Sequence, residues 1–454
     1  MEQLTLEKRE LSTLEFLKKI IILATPAIIE MFMNTLVGLA DTVMVGRGIG
    51  AEGLAAVNLA NYLVFPAVFI FSAFNIGTTA LVSRYIGARA KSRAERVASQ
   101  SYMLNIIIGF ILTVLMYFSH TDLIKLFPAE KEVLDIAIPY LRVVIYSQFF
   151  MLATFSLSSS FRGAGDTVTP MVVNGAVNLI NILGNWLLIF GIGFFPQLGV
   201  RGAAISTTLS RIVGAIIFTI IALKGDKKIR LVPRWFKVKL KAIKKLWKIS
   251  WSAALEQFFL QSSFIILNYL IIQLGTIDYS AYNIVLRIES ISFMPAFGIS
   301  IATTTLVGQY LGAKDKKNAL RSGDLSALFG GGLAILLGAI FIAFPEELSS
   351  LFINDRDVIE SAVIPLRLAG IQQFAISILI IYSGALRGAG DTLRVMFITI
   401  FRMWFLSIPL TYYIVNHTDL GLTGVYIGTN ISFAIIATIF YLYFRSGKWM
   451  EIKL

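Results

Sequence analysis

Arg-Gly-Ala-Gly-Asp-Thr, at residues 162–167, returns unchanged at 387–392, which is 225 residues further along a chain of 454. The same offset carries Leu-Val-Ser-Arg-Tyr-Ile-Gly-Ala at 81–88 onto the related octapeptide Leu-Val-Gly-Gln-Tyr-Leu-Gly-Ala at 306–313. Two matches at one offset, equal to about half of the chain, indicate a duplicated sequence with two similar halves.

The composition places both halves in a membrane. Apolar residues make up 56% of the chain, charged residues only 15%, and the mean hydropathy is +0.76, which leaves too little polar surface for a soluble globule. The apolar runs are continuous rather than alternating and reach the roughly 20 residues of a membrane-spanning helix, which argues against a β-barrel. We place the spans at about 18–45, 53–82, 97–119, 134–160, 170–195 and 202–223, and again at about 249–274, 280–308, 323–344, 359–385, 395–415 and 422–444.

The sequence therefore predicts an all-α integral membrane protein with twelve transmembrane helices in two homologous six-helix lobes. Repeats of this kind in membrane chains usually build two halves around a central site that works by alternating access. The predicted domains are a cytoplasmic N-terminal segment 1–17, a first lobe 18–223, a basic cytoplasmic linker 224–248 and a second lobe 249–454.

The distribution of basic residues predicts the orientation. With a cytoplasmic N-terminus, the inner segments hold thirty of the forty Lys and Arg residues and the outer loops hold five. Because cytoplasmic loops carry such an excess, we expect a multi-pass protein of the cell membrane with both termini in the cytoplasm. The same asymmetry accounts for the net charge of +13, which is then no evidence for a nucleic-acid partner.

Eleven of the basic residues lie in the linker 224–248, where Asp226 is the only acid. Trp235 and Phe236 among these basic residues are typical of an amphipathic segment on the inner leaflet. We therefore expect the linker to contact anionic membrane lipid rather than a nucleic acid or a protein ligand.

Four carboxylates fall well inside predicted spans: Glu30, Asp41, Glu256 and Glu289. Charge inside a membrane is costly, so each is a candidate functional group. Glu289 follows Arg287 by two residues, which puts the two side chains on nearly opposite faces of a helix. Glu289 then needs a partner on a neighbouring helix or belongs to the transport pathway. Glu256 repeats Glu30 with one residue of slippage, and structural and functional roles stay open for both.

Asp41 has no basic residue within a turn of it along its own helix. A carboxylate in low dielectric disfavours its own charge unless a cation or a proton binds it, which is the property of a reversible ion site. Glu30 lies close to three turns earlier, so both side chains project from one face about 16 Å apart. The alternative for Asp41 is an interfacial carboxylate near the outer end of its span.

The fifth span supplies polar neighbours. Asn174, Asn178, Asn181 and Asn185 recur at helical steps and form one polar stripe, although Asn side chains also bind helices together. With Thr207 of the sixth span, a carboxylate, amide oxygens and a hydroxyl form an oxygen set that suits Na⁺, whereas the carboxylate alone suffices for H⁺. These residues do not choose between the two ions.

Enzyme chemistry is poorly supported. The chain has two histidines, His120 and His417, both in predicted outer loops, no Cys and no Walker-type phosphate loop. We interpret the repeated hexapeptide as a tight turn between spans, with Asp166 or Asp391 as a cap of the next helix. No cofactor is expected, and without an ATPase signature transport is driven by an ion gradient or is passive.

Several segments together resemble the MATE family, the multidrug and toxic compound extrusion transporters. They are the paired hexapeptides, the octapeptide at 306–313, Ala-Asp-Thr at 40–42 and Gly-Ala-Ala at 202–204. The resemblance covers essentially the whole chain. It implies two six-helix lobes around a central cavity and the export of amphipathic, often cationic drugs and dyes in exchange for H⁺ or Na⁺. A lipid-linked sugar or lipid flippase of the same broader superfamily is the alternative.

For prokaryotic relatives, the resemblance implies a coupling site in the N-terminal lobe, and its motif matches Asp41, Asn181, Asn185 and Thr207 here. One position departs from the pattern, because some relatives carry Asp where this chain has Asn185. The site then keeps one titratable group, which speaks against a combined Na⁺ and H⁺ mechanism. Secondary polar candidates are Glu30, Asn178, Glu256 and Glu289.

The substrate cavity is expected to be mostly apolar, because a polyspecific site needs adaptable nonpolar contacts and few fixed polar ones. We expect a monomer whose partners are membrane lipid and small amphipathic drugs or dyes. The cavity candidates are Met33, Asn34, Gln257, Gln261, Met294 and Gln373.

Overall fold

The computed structural model describes residues 12–237 and 239–452, without the side chains of residues 65, 67 and 69, and its regular elements are all helices. Residues 1–11 of the predicted N-terminal segment lie outside the described residues. The first half forms α1 (Thr13–Ile49), α2 (Ala51–Ser72), α3 (Phe74–Gly87), α4 (Lys91–Ile124), α5 (Lys131–Gly163), α6 (Val168–Phe190) and α7 (Val200–Lys224). The second half forms α8 (Leu240–Ile272), α9 (Thr276–Gly312), α10 (Lys316–Ala343), α11 (Pro345–Ser350), α12 (Arg356–Ala389), α13 (Thr392–Ile400), α14 (Ile408–His417) and α15 (Gly421–Arg445).

Eleven of the described helical stretches are long and apolar enough to cross a bilayer. The remaining predicted span, 53–82, falls on α2 and α3, which follow each other at Ala73. The predicted span 395–415 is made of α13, a π-helical stretch Phe401–Ser407 and α14. The protein is therefore a multi-pass, all-α membrane protein, and the predicted twelve-helix fold class is confirmed.

The duplication is visible in how the helices pack. A Cβ atom on Gly163 of α5 would lie 2.8 Å from the carbonyl oxygen of Thr79 in α3, and a Cβ on Gly388 of α12 would lie closer still to that of Thr304 in α9. In both places the threonine hydroxyl donates to the carbonyl four residues before the glycine, at 3.2 and 2.8 Å. Glycine is needed at both positions because two helix backbones meet there.

The turns after α3 and α9 also match. Arg89 and Lys314 both adopt the left-handed backbone region, at φ +55° and +60°. In each turn, the amide of the next residue donates to the carbonyl five residues before it, at 2.8 and 2.9 Å. Equivalent turns at the repeat offset indicate that the two halves share backbone geometry as well as sequence.

The chain falls into two compact units. Of the described residues, the N-terminal unit comprises 29–237 and 239–254, and the C-terminal unit comprises 12–28 and 255–452. The start of α1 accordingly packs in the C-terminal unit, where Phe16 and Ile20 are fully buried in one cluster with Phe440. The boundaries between these units lie inside α1 and α8. The division into the two lobes of the sequence repeat stays a prediction.

A buried glutamine of α4, Gln100, contributes to holding the basic linker against the N-terminal unit. Gln100 Nε2 donates to the carbonyl oxygens of Trp235 and of Lys237, the latter at 2.8 Å, and its Oε1 accepts from the amide of Lys239 at 2.8 Å. The last part of the predicted linker is helical, because α8 already begins at Leu240. Contact of this segment with anionic lipid stays a prediction.

Candidate functional site

Asparagines of α6 contact α1 at three heights within the N-terminal unit, and we call this series the polar ladder. The two partners are 144 residues apart in each contact, so the helices run in the same direction and keep one register. The contacts, each from an Asn Nδ2 to a side-chain oxygen, are Asn174 to Glu30 Oε1 (2.6 Å), Asn178 to Asn34 Oδ1 (2.8 Å) and Asn185 to Asp41 Oδ1 (2.6 Å).

The four residues predicted for ion coupling all lie in the N-terminal unit, and contacts join them in two pairs. Asn185 donates to Asp41 of α1, while Asn181, one turn away, donates its Nδ2 to Thr207 Oγ1 of α7 at 3.2 Å. One face of α6 thus contacts two neighbouring helices. The pattern of the asparagine stripe predicted the face but not which helix each amide would meet.

Small residues allow α6 and α7 to approach each other closely. A Cβ on Gly184 would collide with the Ser206 hydroxyl, and one on Gly202 would lie 2.5 Å from the carbonyl oxygen of Leu188. Ser206 also donates to the backbone carbonyl of Asn181 at 2.9 Å. This close packing brings the α7 hydroxyls within reach of the asparagine stripe.

Two amide oxygens of the site are buried and still able to accept. Asn181 is 4% exposed and Asn185 is 1% exposed, and the Oδ1 atom of each has no hydrogen-bond partner among the described residues. The orientation of the Asn185 amide follows from its contact, because its Nδ2 rather than its oxygen must face the carboxylate of Asp41. A carboxylate and two accepting amide oxygens fit Na⁺, and the carboxylate also fits H⁺.

An arginine of α7 adds a positive charge that the sequence reasoning missed. Arg211 Nη1 donates to Ser147 Oγ of α5 at 2.7 Å. Arg211 lies on α7, so the sequence around Asp41 on α1 does not indicate it. The sequence does indicate its position in one respect. Arg211 follows Thr207 by four residues, which puts both side chains on one face of α7.

The repeated hexapeptide supplies the partners of the repeated glutamates. Arg162 Nη2 lies 2.6 Å from Glu30 Oε1 in the N-terminal unit, and Arg387 Nη2 lies 2.9 Å from Glu256 Oε1 in the C-terminal unit. Both carboxylates are almost completely buried, so removing either arginine would leave an uncompensated charge. These ion pairs tie the end of α5 to α1 and the end of α12 to α8.

The turn of the hexapeptide forms as predicted in the first half. Gly165 and Gly390 have φ of +81° and +85°, a region that glycine enters without steric cost. Asp166 Oδ1 accepts from the amide of Thr169 at 3.0 Å and its Oδ2 from the Thr169 hydroxyl at 2.8 Å, so Asp166 caps the first turn of α6. The predicted cap is confirmed for Asp166.

The prediction was wrong for Asp391. Its carboxylate makes no capping bond to α13 and instead accepts from the Tyr443 hydroxyl at 2.6 Å and from Arg394 Nη1 at 3.1 and 3.2 Å. A guanidinium and a phenol are stronger donors than a helix amide, and the first copy of the turn has neither of them. There, Lys228 of the linker donates to the carbonyl of Gly165 at 2.8 Å. Burial lowers the pKa of Lys228, although nearby Asp166 acts in the opposite direction.

Glu289 has amide partners on a neighbouring helix in the C-terminal unit. Its Oε1 accepts from Gln372 Nε2 at 2.6 Å and from Gln373 Nε2 at 3.1 Å, both on α12, and Ser292 donates to Gln373 Oε1. Glu289 is buried and Arg287 is exposed, as their opposite helix faces require. Within the C-terminal unit, this carboxylate joins α9 to α12.

Two of the predicted cavity residues have side-chain amides in these contacts. Gln373 is 2% exposed and bonded to Glu289, and Asn34 is a member of the polar ladder. Met33 lies beside Gly175 of α6. The structure places Gln257 and Gln261 on α8 and Met294 on α9. Their role in binding a substrate stays a prediction.

Both halves match one family model, MatE, over residues 26–187 and 252–413. The chain belongs to the MatE family. The MATE resemblance of the sequence is thereby confirmed, and this family consists of transporters rather than enzymes. This MatE protein is 36% identical over 446 residues to the probable multidrug resistance protein NorM of Thermotoga maritima, with 96% of this chain and 93% of that protein covered.

Solved structures agree with this assignment. The fold matches an outward-facing multidrug resistance MATE family transporter of the MOP superfamily at a TM-score of 0.88 and 26% identity, with 97% of this chain and 98% of that one covered. It also matches a MOP superfamily transporter from Pyrococcus furiosus at a TM-score of 0.88 and 25% identity, with 98% and 100% covered. For that protein, a binding pocket of reverse polarity is said to suggest a different function.

Proposed function

We propose that this MatE transporter exports small amphipathic drugs and dyes across the cell membrane in exchange for H⁺ or Na⁺, by alternating access. The multidrug resistance names of its relatives support the substrate class. The observation that supports ion coupling is the contact of Asn185 with Asp41, together with the buried amide oxygens of Asn181 and Asn185, which have no partner among the described residues. We expect a monomer with both termini in the cytoplasm.

The coupling begins with a charged Asp41 that accepts from Asn185. Binding of H⁺ or Na⁺ removes the negative charge, so the attraction between α1 and α6 at this height weakens and the packing of α1 changes. A cation shifts the balance of two conformations only if it binds them with different affinity. Neutralising a poorly solvated carboxylate supplies such a difference, on the order of several kcal/mol. The cation-bound conformation then disfavours drug binding.

Other carboxylates are less suited to this role. Glu30 and Glu256 are each paired with an arginine, so a proton or Na⁺ bound there would share the carboxylate with a fixed positive charge. Glu289 is held by two glutamine amides and is buried, which suits a structural contact between α9 and α12. At Asp41, the contact with Asn185 leaves the buried amide oxygens of Asn181 and Asn185 without a hydrogen-bond partner among the described residues.

Everted membrane vesicles from an efflux-deficient host that produces the chain test this function. With an imposed proton or sodium gradient, a cationic fluorescent dye should accumulate in the vesicles, and collapse of that gradient should stop the uptake. Absence of dye uptake under both gradients would contradict drug export. Movement of a fluorescent lipid-linked sugar in the same vesicles would then favour the flippase alternative.

A further inference from the structure

A groove with aromatic walls opens on the surface of the N-terminal unit between α4 and α5, and we call it the aromatic groove. It encloses about 320 Å³. Both helices are long and apolar enough to cross a bilayer, so the groove lies at the depth of the lipid tails. Its lining residues are Phe110, Thr113, Val114, Tyr117 and Phe118 of α4 with Tyr146, Phe149 and Phe150 of α5.

The packing of α4 against α5 builds this groove. A Cβ on Gly109 of α4 would lie 3.0 Å from the Cα atom of Phe149, so the two helix backbones meet at one end of the groove. Further along α4, the rings of Tyr117 and Tyr146 are 5.9 Å apart, and Phe118 is 78% exposed. The large side chains therefore stand as walls beside a close backbone contact, and the groove is already formed without a ligand.

One arginine continues the α5 side of the groove. Arg142 precedes Tyr146 by one turn and Phe149 by two, so it lies on the helix face that lines the groove. Arg142 is exposed within the predicted span 134–160 and forms no hydrogen bond or ion pair with the residues that the structure describes. The nearest acid of α5, Asp135, is two turns away. An unpaired guanidinium in a span is costly, so Arg142 requires an anion from outside the protein.

We propose that the aromatic groove and Arg142 bind one anionic phospholipid, with an acyl chain in the groove and the phosphate at the guanidinium. The planar donors of arginine match a phosphate, and basic pockets between membrane helices bind such headgroups. Arg142 and Phe150 are about 12 Å apart along the helix, so one lipid reaches both. The long arginine side chain extends towards the headgroup region. A zwitterionic headgroup would bring a second positive charge to Arg142, which favours an anionic one.

The test compares two lipids with the same dioleoyl chains, phosphatidylglycerol and phosphatidylcholine. Their binding to the full-length protein in detergent is measured by native mass spectrometry. The wild type should retain one phosphatidylglycerol more tightly than phosphatidylcholine. Arg142→Gln should lose this preference, with an affinity for phosphatidylglycerol that is lower on the order of tenfold, because a neutral amide does not pair with the phosphate. Arg142→Lys keeps the charge and should keep most of the preference.

A second variant tests the groove itself. Val114→Trp fills the groove and should weaken the binding of both lipids equally. If Val114→Trp does not fold, Phe118→Ala removes an exposed wall and carries the same prediction. Two matched controls should bind both lipids as the wild type does. Arg287→Gln removes an exposed arginine from a predicted span of the C-terminal unit, and Leu328→Trp adds the same ring at an exposed position of α10.

Equal affinity of the wild type for the two lipids would overturn the inference. A preference for phosphatidylglycerol that Arg142→Gln keeps, or that Arg287→Gln loses to the same extent, would overturn it as well. Lipid binding that the groove variants leave unchanged would place the acyl chain elsewhere and refute the site. Binding of a cationic dye that Val114→Trp abolishes, without a lipid preference in the wild type, would make the groove a drug site instead. None of these variants changes a coupling residue, so dye transport by the wild type tests the proposed function separately.

Discussion

Asn185 shows how far single residues can be assigned from the sequence. Its place on a polar stripe and the motif it matches predicted a partner for Asp41, and its Nδ2 does donate to that carboxylate at 2.6 Å. The stripe could not reveal that Asn181 turns to Thr207 instead, because helical periodicity gives the face of a residue and not the identity of the helix packed against it. That identity is a property of the tertiary fold.

A change of Asn185 tests this contact. Asn185→Asp puts a second carboxylate beside Asp41, where the two negative charges repel each other and attract cations more strongly. We expect the midpoint for the coupling cation to fall by roughly tenfold, measured as cation-dependent transport in proteoliposomes.

The exchanged pair Asp41→Asn/Asn185→Asp is the matched control, because it keeps one carboxylate and one amide at the same contact. It should recover part of the coupling that Asp41→Asn loses. An unaltered cation dependence in Asn185→Asp would show that this residue does not face the ion.

The roles of Glu30 and Glu256 lay outside sequence reasoning for a related reason. Their partners Arg162 and Arg387 are 132 and 131 residues away along the chain. The sequence showed that both glutamates and both arginines recur at nearly one offset, which was a usable signal. It did not distinguish an ion pair from two separate sites, since recurrence alone carries no distance.

At the scale of elements, the continuity of the apolar runs predicts most of the helices, but it predicts their ends less accurately. α8 begins at Leu240 inside the predicted basic linker, because Lys residues there are good helix formers and do not stop a helix. The short α11 and the π-helical stretch Phe401–Ser407 also had no counterpart in the prediction. Hydropathy alone reports neither of them.

The crossing of α9 and α12 gives a prediction at this scale. Gly388→Ala would drive a Cβ into the carbonyl oxygen of Thr304, and backbone cannot move away as a flexible side chain can. The cost should be about 1–3 kcal/mol, seen as a lower melting temperature in detergent. Gly163→Ala at the equivalent crossing of α5 with α3 has a looser contact, 2.8 Å, and should lose less.

Gly332→Ala in α10 is the control for both variants, since a Cβ there would meet nothing within 4 Å. It should keep or slightly raise the melting temperature, because Ala favours a helix more than Gly does. An equal loss in Gly332→Ala would mean that the crossings are not the cause.

At the scale of the whole molecule, the duplication predicts a shared framework and leaves the sites to differ. The ion pairs of the hexapeptide and the glycine crossings recur in both units. The N-terminal unit adds Asp41 with Asn185, whereas the C-terminal unit has Glu289 with two glutamine amides. Repetition explains the common packing, and the unmatched polar residues mark where function diverges.

The orientation in the membrane is a further prediction at this scale. The chain has no Cys, so single cysteines can be introduced without a background signal. In intact cells, a membrane-impermeant maleimide should label Lys125→Cys in the predicted outer loop and should label Lys227→Cys in the linker only after the cells are opened. Labelling of Lys227→Cys in intact cells would reverse the proposed topology.

The central claim is that Asp41 couples the gradient of H⁺ or Na⁺ to export. The most direct measurement is gradient-driven dye transport by wild type and Asp41→Asn in proteoliposomes, with dye binding to both proteins measured in detergent. We predict that Asp41→Asn binds dye with an affinity near the wild type but does not transport it against a gradient, because its amide cannot exchange a proton or neutralise Na⁺. Transport by Asp41→Asn at the wild-type rate and with the wild-type ion dependence would contradict the account and direct attention to Glu30.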